Sequence, residues 1–108
     1  MPMDATISYE PADPDGLIVA RLAGELDLDR ADDVRDSLAK AAASPGCHYL
    51  RVDVAGLDFI DSYGLGALVS ARNSAAALGV TLTLAEPSPP VRKAIEVTGL
   101  GNVFGLGQ

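Results

Sequence analysis

Apolar residues along this chain alternate in four short stretches and recur at helical spacing in three others, which predicts four strands interleaved with three helices. Thr6 to Glu10 and Leu17 to Ala23 read as strands joined through Pro11-Ala12-Asp13-Pro14-Asp15-Gly16, a turn-rich segment that predicts a hairpin. In the second strand Ile18, Ala20 and Leu22 make one face wholly apolar, while Leu17, Val19 and Arg21 make the other and end it in a charge. Asp27 or Asp29 then caps a helix whose buried stripe is Ala31, Val34, Leu38 and Ala41, and Pro45-Gly46 stops it. His48 to Val54 forms the third strand, with Leu50, Val52 and Val54 on one face, and leads through Ala55-Gly56-Leu57 into Asp61-Ser62.

From there Leu65, Leu68, Val69, Ala76 and Leu78 recur at near-helical spacing until Gly79, the expected C′ residue, so Ser62 falls on the first turn of the second helix. Val80 to Ala85 is the fourth strand, with Val80, Leu82 and Leu84 facing one way and Thr81 and Thr83 the other. Ser88 caps a third helix that carries Pro89 and Pro90 in its first turn, buries Val91, Ala94 and Ile95, and ends at Gly99. A helical crossover between strands three and four makes them parallel, while the opening hairpin is antiparallel. The fold class is therefore α/β, a mixed sheet of four to five strands with helices packed mainly on one face. Asn102 to Gln108 reads as a short tail or edge piece.

The 108 residues suit one domain spanning 1–108, and a hydrophobic content of 48% supports a packed core. No window holds the roughly 18 uncharged apolar residues that a membrane span needs. Met1-Pro2-Met3-Asp4 lacks the basic start and apolar run of a signal peptide, so the expected location is cytoplasmic. Fifteen acidic residues against eight basic ones give a formal charge of −7, which argues against nucleic-acid and anionic-membrane partners. Cys47 and His48 are the only residues of their kinds, so no disulfide within the chain and no zinc site of several Cys or His ligands is expected, and no cofactor motif is present.

First-turn amides lack intrahelical partners and carry partial positive charge, which suits a phosphoryl group or an acidic partner at Ser62. Catalysis by Ser62 would need a base, and His48, the sole imidazole, begins the strand that Ser62 follows, placing the two near opposite poles of the sheet. Ile60-Asp61-Ser62-Tyr63-Gly64 also lacks the first glycine of a hydrolase nucleophile elbow. Gly64-Leu65-Gly66-Ala67-Leu68-Val69 has Val69 where a dinucleotide fingerprint needs its third glycine. A phosphoaspartate receiver needs a lysine after a late strand, but Lys40 and Lys93 fall inside predicted helices. An enzyme is not expected.

Gly24-Glu25-Leu26-Asp27, then Leu57-Asp58-Phe59-Ile60-Asp61-Ser62-Tyr63-Gly64-Leu65-Gly66-Ala67-Leu68, then Pro87-Ser88-Pro89-Pro90-Val91 and Thr98-Gly99-Leu100 succeed one another across some seventy residues. In order, spacing and character they resemble the anti-sigma factor antagonists of the STAS domain family. The resemblance implies a STAS-like sheet and a phosphorylatable serine at the start of the second helix, matching Ser62. It implies that an anti-sigma factor is both binding partner and ATP-dependent serine kinase, and that a separate phosphoserine phosphatase restores the serine. The unphosphorylated antagonist would sequester the anti-sigma factor and free a sigma factor for transcription. The alternative is a non-phosphorylated STAS scaffold or small-ligand sensor.

Partner contacts are expected at Asp27, Asp61, Ser62, Tyr63 and Gly64. Many relatives place Ser or Thr after the phosphoacceptor, where this chain has Tyr63, whose ring is either an interface anchor or a packing group. Asp61 is either a cap or an orienter of Ser62, and Asp27 either a cap or an interface carboxylate. The acidic run of Glu25, Asp27, Asp29, Asp32, Asp33 and Asp36 is either a solvated helix face or a docking edge for a basic partner.

Overall fold

In the computed structural model, residues 4–101 and 103–104 are described. The elements follow in the order β1 (Thr6–Glu10), β2 (Leu17–Leu26), α1 (Leu28–Ala42), β3 (Tyr49–Ile60), α2 (Ser62–Ala77), β4 (Thr81–Ala85) and α3 (Pro89–Thr98). The four strands lie in sequence order, with β1 antiparallel to β2 and the β2–β3 and β3–β4 pairs parallel. This is the mixed α/β sheet that the alternation predicts.

The predicted apolar faces are the buried ones, except that Ala41 and Ala94 are only half-buried at the edge of the core and Ala42 takes the last buried position of α1. Ile18, Ala20 and Leu22 of β2, Leu50, Val52 and Val54 of β3, and Leu82 and Leu84 of β4 join Val34 and Leu38 of α1, Leu65 and Leu68 of α2, and Val91 and Ile95 of α3 in one apolar core. On the opposite face Arg21 reaches across three strands, pairing with Glu10 of β1 and approaching Asp53 of β3 at 3.8 Å. That face, with Tyr49, Arg51 and Thr81 exposed, carries no helix-facing apolar row.

Two strands run further than their alternation predicts. β2 continues to Leu26 and β3 to Ile60, where Val54 was the expected end. The physical reason is a double irregularity in their pairing. Arg21 faces Asp53 but Ala23 faces Gly56, and Gly24 faces Leu57 but Glu25 faces Phe59, so β3 twice spends one residue more than β2. Each extra residue reverses which face the next side chain takes, as a β-bulge does. Buried positions therefore step from Val54 to Leu57 to Ile60 at intervals of three, a pattern that reads as a strand ending in a loop.

β4 pairs with Tyr49–Asp53, which among the described residues leaves the far half of β3 without a strand on that side. Ser88 addresses this edge. Its side chain makes no capping bond to α3; instead its buried hydroxyl donates to the Leu57 carbonyl at 2.6 Å. Ser88 does hold the predicted N-cap position, but without the side-chain bond a cap makes: Pro89 and Pro90 at the first two helical positions bring no amide hydrogens, and the hydroxyl is engaged by Leu57. Of the expected tail, Asn102 and residues 105–108 lie outside the described residues. Phe104 is fully buried and its carbonyl accepts the Leu84 amide at 3.1 Å, extending the edge of β4.

Candidate functional site

The C-terminal ends of β2 and β3 deliver the first turns of α1 and α2 to one pole of the sheet. Asp27 caps α1, its Oδ1 accepting the Asp29 amide at 3.1 Å, and Asp61 caps α2, its Oδ1 accepting the Gly64 amide at 2.8 Å. Asp61 does more than a local cap. Its Oδ2 accepts the Leu28 amide of α1 at 3.1 Å, and its own amide donates to the Leu26 carbonyl at 3.2 Å. One carboxylate therefore fastens both helix N-termini, and its negative charge lies at the positive end of each.

Gly64 shows why the two elements can meet so closely. It is buried, and a Cβ built on it would come within 2.8 Å of Leu26 Cγ and 3.1 Å of Ile60 Cγ1 and closer still to the Leu26 carbonyl oxygen. Gly64 was expected among the partner contacts. It is buried, with its amide already taken by Asp61 and no side chain to present.

Ser62 is the first residue of α2 and is exposed. Because Asp61 supplies the cap, the serine hydroxyl is not used for capping and points from an ordered first turn. Tyr63 is 59% exposed, Phe59 46% and Leu28 58%. All three adjoin Asp61: Phe59 and Tyr63 lie two residues from it in the chain, and Leu28 is bonded to it through its amide. Tyr63, next to Ser62 in the chain, and Leu28, bonded to Asp61 through its amide, are thus large apolar side chains open to solvent at the pole that also holds Asp27 and Asp61. Tyr63 is not a core packing group. Phe59 and Leu28 were not singled out from the sequence; the bulges hide the face Phe59 takes, and Leu28 reads as part of an acidic cap segment.

A groove of about 470 Å³ opens from this pole between α2 and α3, lined along α2 by Ser62, Leu65 and Val69 and along α3 by Lys93, Ala94 and Val97. Its walls are mostly apolar, and Ser62 and Asp61 stand at its rim.

His48 immediately precedes β3, whereas Ser62 follows it after twelve strand residues. At about 3.3 Å per residue, and allowing for the two bulges, the separation is on the order of 30–40 Å, so no imidazole reaches the serine. A serine–histidine pair at Ser62 is therefore not formed by this chain. The acidic face of α1 is laced locally, with Arg30 on Asp33 at 2.7 Å and Arg35 on Asp32 at 3.2 Å and Asp36 at 3.0 Å. These exposed pairs fit the solvated-face reading of that run. Among the described residues no helix is long and apolar enough to cross a membrane.

Residues 9–108 match the STAS domain family. An anti-sigma F factor antagonist of Paenibacillus polymyxa is 29% identical over 91 residues, covering 84% of this chain and 78% of that protein. The structure of the anti-sigma factor antagonist SpoIIAA in its unphosphorylated form superposes with a TM-score of 0.75 at 28% identity, covering 90% of this chain and 84% of that one. For the Bacillus cell fate determinant SpoIIAA in the phosphorylated form the values are 0.69 and 27%, covering 90% of this chain and 86% of that one. The four-stranded mixed sheet with three helices is the fold these proteins share with it. With a match over nearly its whole length, the chain belongs to the STAS domain family.

Proposed function

We propose that this chain is a single STAS domain acting in the cytoplasm as an anti-sigma factor antagonist. It binds an anti-sigma factor serine kinase while Ser62 is unmodified and is released when Ser62 is phosphorylated, so that its state sets the activity of a sigma factor in transcription. A phosphoserine phosphatase reverses the change. The observation that carries this reading is the exposed Ser62 at the first position of α2, with Asp61 as the cap and the exposed Tyr63 beside it. Support comes also from the antagonist relatives, one of which is known in a phosphorylated form.

In the modification step the Ser62 hydroxyl oxygen attacks the γ-phosphorus of ATP. The bond from that phosphorus to the bridging oxygen of ADP breaks, and the hydroxyl proton passes to a base of the kinase. This chain supplies the nucleophile and its placement; it is a binding module and not an enzyme. The apolar side chains give the partner an area to bury, and Asp27 and Asp61 set the local charge. Tyr63, more than half open and beside the acceptor, is the anchor for that contact.

Phosphorylation adds about −1.5 to −2 charges and three acceptor oxygens. The α2 dipole favours them by only about 0.3–1 kcal/mol. A partner carboxylate about 4 Å away opposes one unit of that charge by roughly 4 kcal/mol at an effective dielectric of 20, before relaxation and salt screening. Repulsion wins, and weakening a complex a hundredfold needs only about 2.7 kcal/mol. The switch therefore acts locally, without refolding the domain.

Incubation with the cognate anti-sigma kinase and ATP, followed by intact-mass analysis and fragment mapping, tests the assignment. One phosphate on Ser62, abolished by Ser62→Ala, is expected. No phosphate, with binding retained, would replace the switch by the scaffold reading.

A further inference from the structure

Resting on Ser62 as phosphoacceptor, we propose that Lys93 of α3 is the cation that receives the phosphate once it is attached, pairing with it across the mouth of the α2–α3 groove. Both residues line that groove, and Lys93 is the cation among its lining residues. The direction of the two helices puts them at the same end. α2 starts just past Ile60 and returns the chain to Val80, at the beginning of β4. α3 starts beside Leu57, where Ser88 is bonded, and its following segment returns to Leu84, which pairs with Val52. Both helices thus run away from the same pole. Ser62 heads the groove-lining row on α2 and Lys93 the row on α3.

Lys93 is exposed, and the ion pairs among the described residues engage Arg21, Arg30 and Arg35 instead. Its four-carbon stem is long enough to run along the apolar groove wall, which includes Val97 one turn on, and to carry the ammonium to the rim. The charged groups that line the groove are Asp61 from the β3–α2 junction and Lys93 from α3, and Asp27 stands at the same pole from the start of α1. The two carboxylates raise the second pKa of the phosphate and Lys93 lowers it. Lys93 is a positioning residue in this account. It holds the added group against the chain's own surface, offsets the repulsion from Asp61, and stabilises the released form relative to the bound one.

The test uses full-length chain with phosphoserine installed at position 62 during synthesis, so that it does not depend on any kinase. Phosphorus NMR titration of wild type, Lys93→Met and Lys93→Arg reads the phosphate pKa directly. Lys93→Met is expected to raise it by about 0.5 unit, Lys93→Arg to leave it close to wild type, and 1 M salt to erase most of the difference. Coincident titration curves for wild type and Lys93→Met at low salt would overturn the pairing. Failure of a kinase to modify Ser62 is read separately, by mass, and would overturn the proposed function without changing this titration.

Discussion

Gly64 and Gly66 sit two residues apart in the first turns of α2, and the structure assigns opposite consequences to giving each a methyl group. Replacing a helical glycine by alanine gains about 1 kcal/mol of helix propensity. At Gly66 a Cβ meets nothing within 4 Å, so the gain is kept. At Gly64 the new carbon falls 2.8 Å from Leu26 Cγ and even nearer the Leu26 carbonyl oxygen, against an ordinary carbon contact of about 3.5–4.0 Å. That carbonyl cannot retreat freely, because it already accepts the Asp61 amide. Crowding of this kind costs about 1–3 kcal/mol, and dragging on the Asp61 bonds puts the cost at the upper end. Net, Gly64→Ala should destabilise by about 2 kcal/mol, while Gly66→Ala should stabilise by about 0.5–1 kcal/mol. For a chain of this size the melting temperatures should move by roughly 8 °C down and 3 °C up. Thermal and urea unfolding followed by circular dichroism measure both. A Gly64→Ala protein that unfolds at or above the wild-type midpoint would refute the claim that α2 is seated by close approach to β2.

Asp61→Ala should cost about 2 kcal/mol, because it strips partners from the Gly64 and Leu28 amides, whereas Asp27→Ala, which frees one amide, should cost about 1 kcal/mol. Equal costs in urea titrations would mean the bond to Leu28 contributes nothing. Ser88→Ala should lose about 1–3 kcal/mol by leaving the buried Leu57 carbonyl without its donor, with helix content unchanged in the far-ultraviolet spectrum; a loss of helical signal would restore the capping role. Burial pushes the Cys47 thiol above its ordinary value of 9.0, so the folded chain holds that proton more tightly than the unfolded chain does. Stability from this source is complete below about pH 9 and falls as the pH rises past it. Cys47→Ala should flatten that slope, and an unchanged slope would remove burial of the thiol as its cause.

Much of the architecture is legible in the sequence where side-chain period alone decides it. The alternation of Ile18, Ala20 and Leu22, the stripe of Val34 and Leu38, and Gly79 and Gly99 with positive φ beyond their helices each state a local rule that the packed chain obeys. Residues 54–60 hide their structure because two extra residues in β3 reset the period twice, a property of its pairing with β2 and not of β3 itself. Asp61 is readable as a cap from Asp-Ser-Tyr-Gly, but its second bond joins elements 33 residues apart. Ser88 and Lys93 follow the same logic: local rules make one a cap and the other a solvated helix residue, while position in the fold gives each a different neighbour. Ser62 itself was placed by local pattern, since an Asp cap followed by a helical run fixes which residue comes first.

A phosphate on Ser62 is proposed to turn an attractive surface into a repelling one. Titration calorimetry of the anti-sigma partner against unmodified and Ser62-phosphorylated chain measures it directly. The account predicts an affinity at least about a hundredfold weaker for the phosphorylated chain, with both forms equally folded. Equal affinities for the two forms would contradict it.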